Sequence, residues 1–382
     1  MSEVLNITFI NRMMGIKFGG GENFDLNLAR ALKKCGHNVR FVIGREWKKL
    51  SLPMDEFEVV YIKTPYLRDI HYKIKPTNFF KKIISVLVLE IDLFLFENAV
   101  FKYLKNDNWT QVYQICGLPR LGNLLGGQDC STKQQQSKIA VVRWPGIPSK
   151  RKVKYMQKCS ANFANGDAYI QIKNKLYNEI RNINLGINLE KYVPKKDKNI
   201  GNIINFLFVG RIIPIKNLSF MIKAFLKAFE KNQNIILNIV GNGEKNELEI
   251  LQNLARNCKN INFFGAKFGD ELLKQYQNND VFLITSKYDN YPNVVFEAMA
   301  CGLPVIGTRV GGIPLQICDE IDGYLVDLND IDMLAEKILT LANDKQKMQN
   351  MSKNARVKMQ KEFSWDKSAK QVESLYKGLL AI

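Results

Sequence analysis

Short apolar runs alternate along the whole chain with longer stretches in which apolar positions recur every three or four residues. That rhythm predicts an α/β protein of stacked βαβ units around parallel sheets. In the first half, residues 4–10 predict a strand and 22–34 a helix. Strands are then expected at 39–43, 59–62, 112–115, 139–143 and 168–172. The second half is more regular. Strands at 205–209, 235–240, 261–264 and 281–284 precede helices at 218–230, 246–258, 270–277 and one opening at Glu297. A strand at 305–306 follows, and helices at 331–341, 344–362 and 366–380 end the chain.

Two breaks in the pattern matter. Residues 194–202, PKKDKNIGN, are polar and carry Pro and Gly, as an interdomain linker does. With 382 residues, two domains are expected: 1–193, 194–363, and a last helix over 364–382 that crosses back to the first. The longest apolar run, residues 83–96, has 14 residues and contains Glu90 and Asp92, too short and too charged for a membrane span. It reads as a buried core helix or as a helix lying on a membrane surface, since Lys73, Lys75, Lys81 and Lys82 precede it.

Charge narrows the partners. Residues 1–190 hold 29 Lys/Arg against 16 Asp/Glu, a surplus of 13, whereas 191–382 hold 26 against 21, a surplus of 5. The basic first half suits an anionic membrane surface or a phosphorylated substrate, or is simply a solvated surface. No nucleic-acid motif accompanies it, so nucleic acid is not an expected partner. The seven cysteines form no C-x-x-C pair, which suggests reduced thiols in a cytoplasmic protein and no zinc site. Glu3, Asn6 and Asn11 interrupt the start where a signal peptide needs an unbroken apolar run. The two histidines, His37 and His71, supply no metal cluster and no Ser-His-Asp set.

The densest chemistry lies in DNYPNVVFEAMACGLPVIGTRVGG, residues 289–312. Asp289 and Glu297 are eight residues apart, and Pro292 and Asn293 mark a helix start with Asn293 as its expected cap. The first-turn amides of Asn293, Val294 and Val295 would attract an anion. The carboxylates, repelled by phosphate, would grip hydroxyls instead. Phosphate and polyol in one pocket point to a nucleotide sugar.

This segment resembles the donor-site signature of glycosyltransferase family 4, retaining enzymes of the GT-B fold. The match runs through Glu297, Ala298, Met299, Ala300, Cys301, Gly302, Pro304, Val305 and Gly311-Gly312. Asp289 departs from it: the family more often has Glu there, and Asp keeps the charge with one methylene less reach. FVGRIIPIKN, residues 208–217, is similar to the family's pyrophosphate element and brings Arg211 and Lys216. Gly19-Gly20-Gly21 resembles the first-domain glycine loop facing the donor, and Gly241 and Gly243 resemble the second-domain G-x-G turn. Residues 184–192 resemble the segment before the linker.

The resemblance implies two Rossmann-like domains facing a cleft, an acceptor-side domain and a nucleotide-sugar domain. It implies a metal-independent transfer of sugar to a glycan or lipid-linked hydroxyl, with no cofactor. Arg211 and Lys216 would bind the diphosphate, Asp289 the donor sugar and Glu297 the ribose. Many members carry a His after a first-domain strand; here Gln114 and Cys116 stand in its place. A sugar phosphorylase, an epimerase, or an inactive nucleotide-sugar binding subunit stays open beside the transferase.

Overall fold

The computed structural model describes residues 3–14, 20–44, 54–65, 67, 70, 79–126, 138–177, 179–196 and 201–381. Gly19, His71, Cys130, Lys73 and Lys75 lie outside them. The chain forms two compact units, one from Met1–Gly186 with Trp365–Ile382 and one from Ile187–Ser364.

Among the described residues, the first unit is built on seven parallel strands: β1 (Asn6–Asn11), β2 (Asn38–Gly44), β3 (Glu58–Ile62), β4 (Val112–Cys116), β5 (Ile139–Trp144), β6 (Ala161–Ala164) and β7 (Arg181–Asn182). Their order is β3-β2-β1-β4-β5-β6-β7. All of β5, IAVVRW, is buried, as expected for a central strand of a sheet covered on both faces. The order reverses between β1 and β4, where Ile10 pairs with Ile115. Connections after these two strands leave in opposite directions, which opens a crevice at their carboxyl ends.

The second unit has β8 (Ile204–Val209), β9 (Ile235–Val240), β10 (Ile261–Phe263), β11 (Val281–Ile284), β12 (Val305–Thr308) and β13 (Gly323–Val326), in the order β10-β9-β8-β11-β12-β13. Here the reversal falls between β8 and β11. The amphipathic helix Leu218–Lys231 buries Leu218, Met221, Ile222 and Phe225 against Phe206 and the rest of one core.

Four expectations are corrected. The strand at 168–172 is part of helix Gly166–Lys175, because Ala168 and Ile172 turn inward four residues apart while Ile170 is exposed; the strand precedes it, as β6. Gly20 and Gly21 are the first residues of helix Gly20–Lys34 rather than a turn. The unit boundary lies at Gly186/Ile187 instead of 193/194. Ile187 N–H donates to the Phe363 carbonyl at 2.8 Å, and Arg356 donates to the carbonyls of Leu189, Tyr192 and Ala300, so residues 187–193 are tied to the second unit. Finally, helix Phe79–Leu104 is not a core helix all round. Its Asp92 and Phe96 are buried, but Phe80, Ile84, Leu87 and Ile91 are exposed.

Helix Trp365–Leu380 belongs to the first unit. Trp365 packs edge-on against Phe24 of helix Gly20–Lys34, with ring centroids 5.4 Å apart. Tyr376 Oη donates to Gln114 Oε1 on β4 at 2.6 Å. His37 Nδ1 accepts from Leu5 N–H, and its Nε2 lies 3.5 Å from Glu373.

Candidate active site

The second unit's site grows from the reversal between β8 and β11. After β8 the chain runs through Gly210 and exposed Arg211 into a 3₁₀ turn, Pro214–Lys216, and then into helix Leu218–Lys231. Asn217 joins turn to helix at φ 55, a left-handed conformation that Asn tolerates better than most side chains. Buried Thr285, just after β11, donates to the carbonyls of Lys216 and Asn217 at 3.1 and 3.2 Å. Lys287 N–H donates to the Ile215 carbonyl at 2.7 Å. The loops after β8 and β11 are thus stitched together, and Lys216 Nζ donates to Asp289 Oδ2 across the seam.

Glycines let two further loops, after β9 and after β12, close on this seam. A Cβ on Gly241 would lie 1.8 Å from the Gly210 carbonyl oxygen, and one on Gly243 2.1 Å from that of Ile212. Ile212 N–H donates to the Asn242 carbonyl at 2.8 Å. These glycines therefore hold the Arg211 segment by backbone approach. On the other side, Gly311 adopts φ 52 with its missing Cβ 2.2 Å from the Asp289 carbonyl oxygen, which accepts the Gly312 N–H at 2.9 Å.

Glu297 sits on helix Asn293–Ala300. Fully buried Tyr276 donates its hydroxyl to Glu297 Oε2 at 2.7 Å, and Tyr192 adds a second hydroxyl near this carboxylate. The tyrosine rings meet edge-on at 6.1 Å. Burial pushes the Glu297 carboxyl above its ordinary range, and the two hydroxyls and Lys191 draw it back only in part. Asn293 is not the cap expected for this helix. Pro292, extended at ψ 119, takes that position, and Asn293 is the first helical residue. The Pro292 carbonyl accepts from Gln316 Nε2 and from Val295 N–H. That engages Val295; the amides of Asn293 and Val294 carry no hydrogen bond among the described residues.

The structure thus brings Lys216 and Asp289 into contact, seats Arg211 in the same loop, and gives Glu297 different partners. Tyr192, Tyr276 and Thr285 were missed by sequence reasoning. Tyr276 did leave a signal: it is the one buried side chain of helix Gly269–Asn278, and a buried tyrosine hydroxyl needs a partner.

In the first unit the β1/β4 reversal holds a buried polar cluster. Arg143 Nε donates to Asp25 at 2.7 Å and its Nη2 to the Gly21 carbonyl at 2.9 Å, with Cys116 Sγ 3.0 Å away. Asn11 donates to the other Asp25 oxygen at 2.7 Å. Burial pulls the guanidinium down, and Asp25 more than offsets it. Burial also pushes the Cys116 thiol up to about 12 despite Arg143. Neither Cys116 nor Gln114, which is held by Tyr376, is poised as a base.

Residues 191–358 match the family described as glycosyl transferases group 1. The second unit is a group 1 glycosyltransferase domain. A UDP-Gal:alpha-D-GlcNAc-diphosphoundecaprenol alpha-1,3-galactosyltransferase of Escherichia coli is 28% identical over 73% of this chain and 78% of its own length. An uncharacterised glycosyltransferase of Methanocaldococcus jannaschii is 31% identical, and a D-inositol 3-phosphate glycosyltransferase of Corynebacterium efficiens 32%. These two matches cover 54% and 44% of this chain, and only 57% and 41% of the relatives' lengths. Solved structures extend the likeness to both units. Sucrose-phosphate synthase from Thermosynechococcus elongatus superposes with a TM-score of 0.76 at 19% identity, covering 99% of each chain. Anabaena HepE in complex with UDP and glucose gives 0.70 at 15%, over 98% of this chain and 100% of that one. The group 1 domain and the first unit together have the GT-B fold.

Proposed function

We propose that the chain is a retaining, metal-independent glycosyltransferase. It moves a sugar from a nucleoside diphosphate sugar to a hydroxyl of a glycan or lipid-linked acceptor in cell-surface polysaccharide or lipopolysaccharide synthesis. The observation that carries this reading is the Arg211, Lys216 and Asp289 assembly at the β8/β11 reversal of a group 1 domain. Arg211 and Lys216 bind the diphosphate and offset the charge that grows on it as the sugar–oxygen bond breaks. Lys216 exchanges Asp289 for phosphate oxygens when the donor arrives, which frees Asp289 for donor-sugar hydroxyls. Glu297 takes the ribose hydroxyls, and the Asn293 and Val294 amides add donors. The acceptor hydroxyl attacks the same face of the anomeric carbon, and its proton passes to the departing phosphate, so the enzyme supplies no nucleophile.

The E. coli relative's name specifies a diphosphoundecaprenol-linked acceptor, which supports a lipid-linked acceptor here. In this reading the enzyme works in the cytoplasm, against the inner face of the membrane. Thermal shift with UDP-, GDP-, ADP- and dTDP-sugars, in wild type and Glu297→Ala, tests the donor site. A ligand at about 100 times its Kd adds roughly 2.7 kcal/mol. One nucleotide stabilising wild type and not the variant is expected; no shift with any of them counts against the reading. The unreactive Gln114 and Cys116 favour a second reading, an inactive nucleotide-sugar binding subunit. Nucleotide binding without turnover, restored to turnover by Asp289→Glu, would favour it.

A further inference from the structure

Helix Phe79–Leu104 carries an apolar strip that the first unit does not cover. Phe80, Ile84, Leu87, Ile91 and Phe94 follow one another at steps of four and three residues, so they share one face. Each is about half exposed or more, from 49% at Phe94 to 75% at Phe80. Large apolar side chains scattered singly are ordinary on a protein surface, but a contiguous row of them marks an interaction site. The opposite face is fixed. Asp92 is fully buried and pairs with Arg12 at 3.0 Å, and buried Glu97 pairs with Arg120 at 3.3 Å. The helix therefore cannot leave the sheet to insert, and among the described residues no helix is long and apolar enough to cross a membrane.

A basic patch adjoins the strip. Helix Lys150–Met156 begins KRKVK, with Lys150, Arg151 and Lys154 exposed. Lys152 Nζ stands 4.0 Å from Glu90 Oε1, which fixes the patch beside the strip and offsets the strip's acidic residue. At its other end, the Arg120 guanidinium covers the Phe94 ring at 4.4 Å.

We propose that this strip and the neighbouring basic helix form a docking surface for an anionic lipid bilayer, with the apolar row entering the headgroup boundary and the cations on lipid phosphates. Charge selects this occupant. Two copies meeting strip to strip would bring like-charged patches together, whereas an anionic surface satisfies the apolar row and the cations at once. The inference deepens the membrane setting proposed above. Its assay reads no sugar transfer, so the failure of one leaves the other standing.

Flotation of the full chain with vesicles of phosphatidylcholine alone, or mixed with phosphatidylglycerol, tests it. Capture by the mixed vesicles at low salt is expected, at least about tenfold weaker on phosphatidylcholine alone or in high salt. The Phe80→Ser/Leu87→Ser variant should lose at least about tenfold in binding. The Lys150→Glu/Lys154→Glu variant should lose the preference for phosphatidylglycerol. All these positions are exposed, so melting should match wild type. Equal binding to both vesicles, or variants that float like wild type, would overturn the proposal. So would a dimer dissolved by Phe80→Ser/Leu87→Ser in a chain that binds neither vesicle, since the strip's occupant would then be a second copy.

Discussion

Glu297 illustrates how one carboxylate can serve a ligand at the expense of the fold. Its folded-state pKa is raised because burial outweighs the help of Tyr276, Tyr192 and Lys191. A carboxyl with a raised pKa contributes stability that is fully present below its ordinary value of 4.5 and is lost as pH rises through the folded value. Glu297→Gln keeps an acceptor for the tyrosines and removes that loss. The variant should melt above wild type at neutral pH and level with it in acid, while its thermal response to nucleotide sugar disappears. Parallel melting curves across the pH series would show that Glu297 carries no such cost. The Lys216–Asp289 pair makes the complementary case. The side chains are 17% and 20% exposed, so solvent screens them only in part. A double-mutant cycle with Lys216→Met and Asp289→Asn should give a coupling of about 1 kcal/mol in the free protein. Saturating donor should reduce the coupling, because Lys216 then has phosphate to bind; an unchanged coupling would leave the pair with a purely structural role.

At the scale of elements, the loops after β8, β9, β11 and β12 are held by backbone approach, and the glycines are where it shows. Gly243→Ala sets a methyl 2.1 Å from the Ile212 carbonyl oxygen, which must move. The expected loss is about 1–3 kcal/mol, with weaker donor binding because the Arg211 loop moves too. Gly378→Ala is the control: it lies on helix Trp365–Leu380 with nothing within 4 Å of its Cβ, and should be neutral or gain up to about 1 kcal/mol. Denaturant midpoints of the two variants decide the matter. Much of this architecture was legible beforehand. The spans of β9, β11 and helix Leu218–Lys231 follow from apolar period and length. What escaped has physical reasons. β13, GYLV, opens on Gly323, which weakens the strand pattern that the all-apolar β11, VFLI, shows at the same length. Residues 168–172 mix β-favouring side chains with a helical spacing that only the inward-facing Ala168 and Ile172 reveal. Tyr192 and Tyr276 meet Glu297 through tertiary packing across 105 and 21 residues of chain, which no local pattern encodes.

For the whole molecule, the decisive feature is that one unit is continuous in sequence and the other is not. Ile187–Ser364 folds from a single stretch, whereas the first unit needs Trp365–Ile382 to return to Met1–Gly186. The returning helix is no ornament there. Trp365 covers Phe24, Tyr376 donates to Gln114 Oε1 inside the sheet, and Ser368 donates to the Asn184 carbonyl at 2.7 Å. Fully buried Tyr376 alone represents a truncation cost of about 3–5 kcal/mol, by the scale of large aromatic deletions in cores. A chain ending at Ser364 should therefore lose or strongly lower the melting of its first unit and keep that of the group 1 domain. Calorimetry with and without the stabilising nucleotide sugar reads the two separately, since only the transition carrying Arg211, Lys216 and Glu297 should rise with ligand. If truncation lowered both transitions equally, or abolished the ligand-sensitive one, stability of the donor domain would depend on the first unit, and the two could not be treated as folding on their own terms.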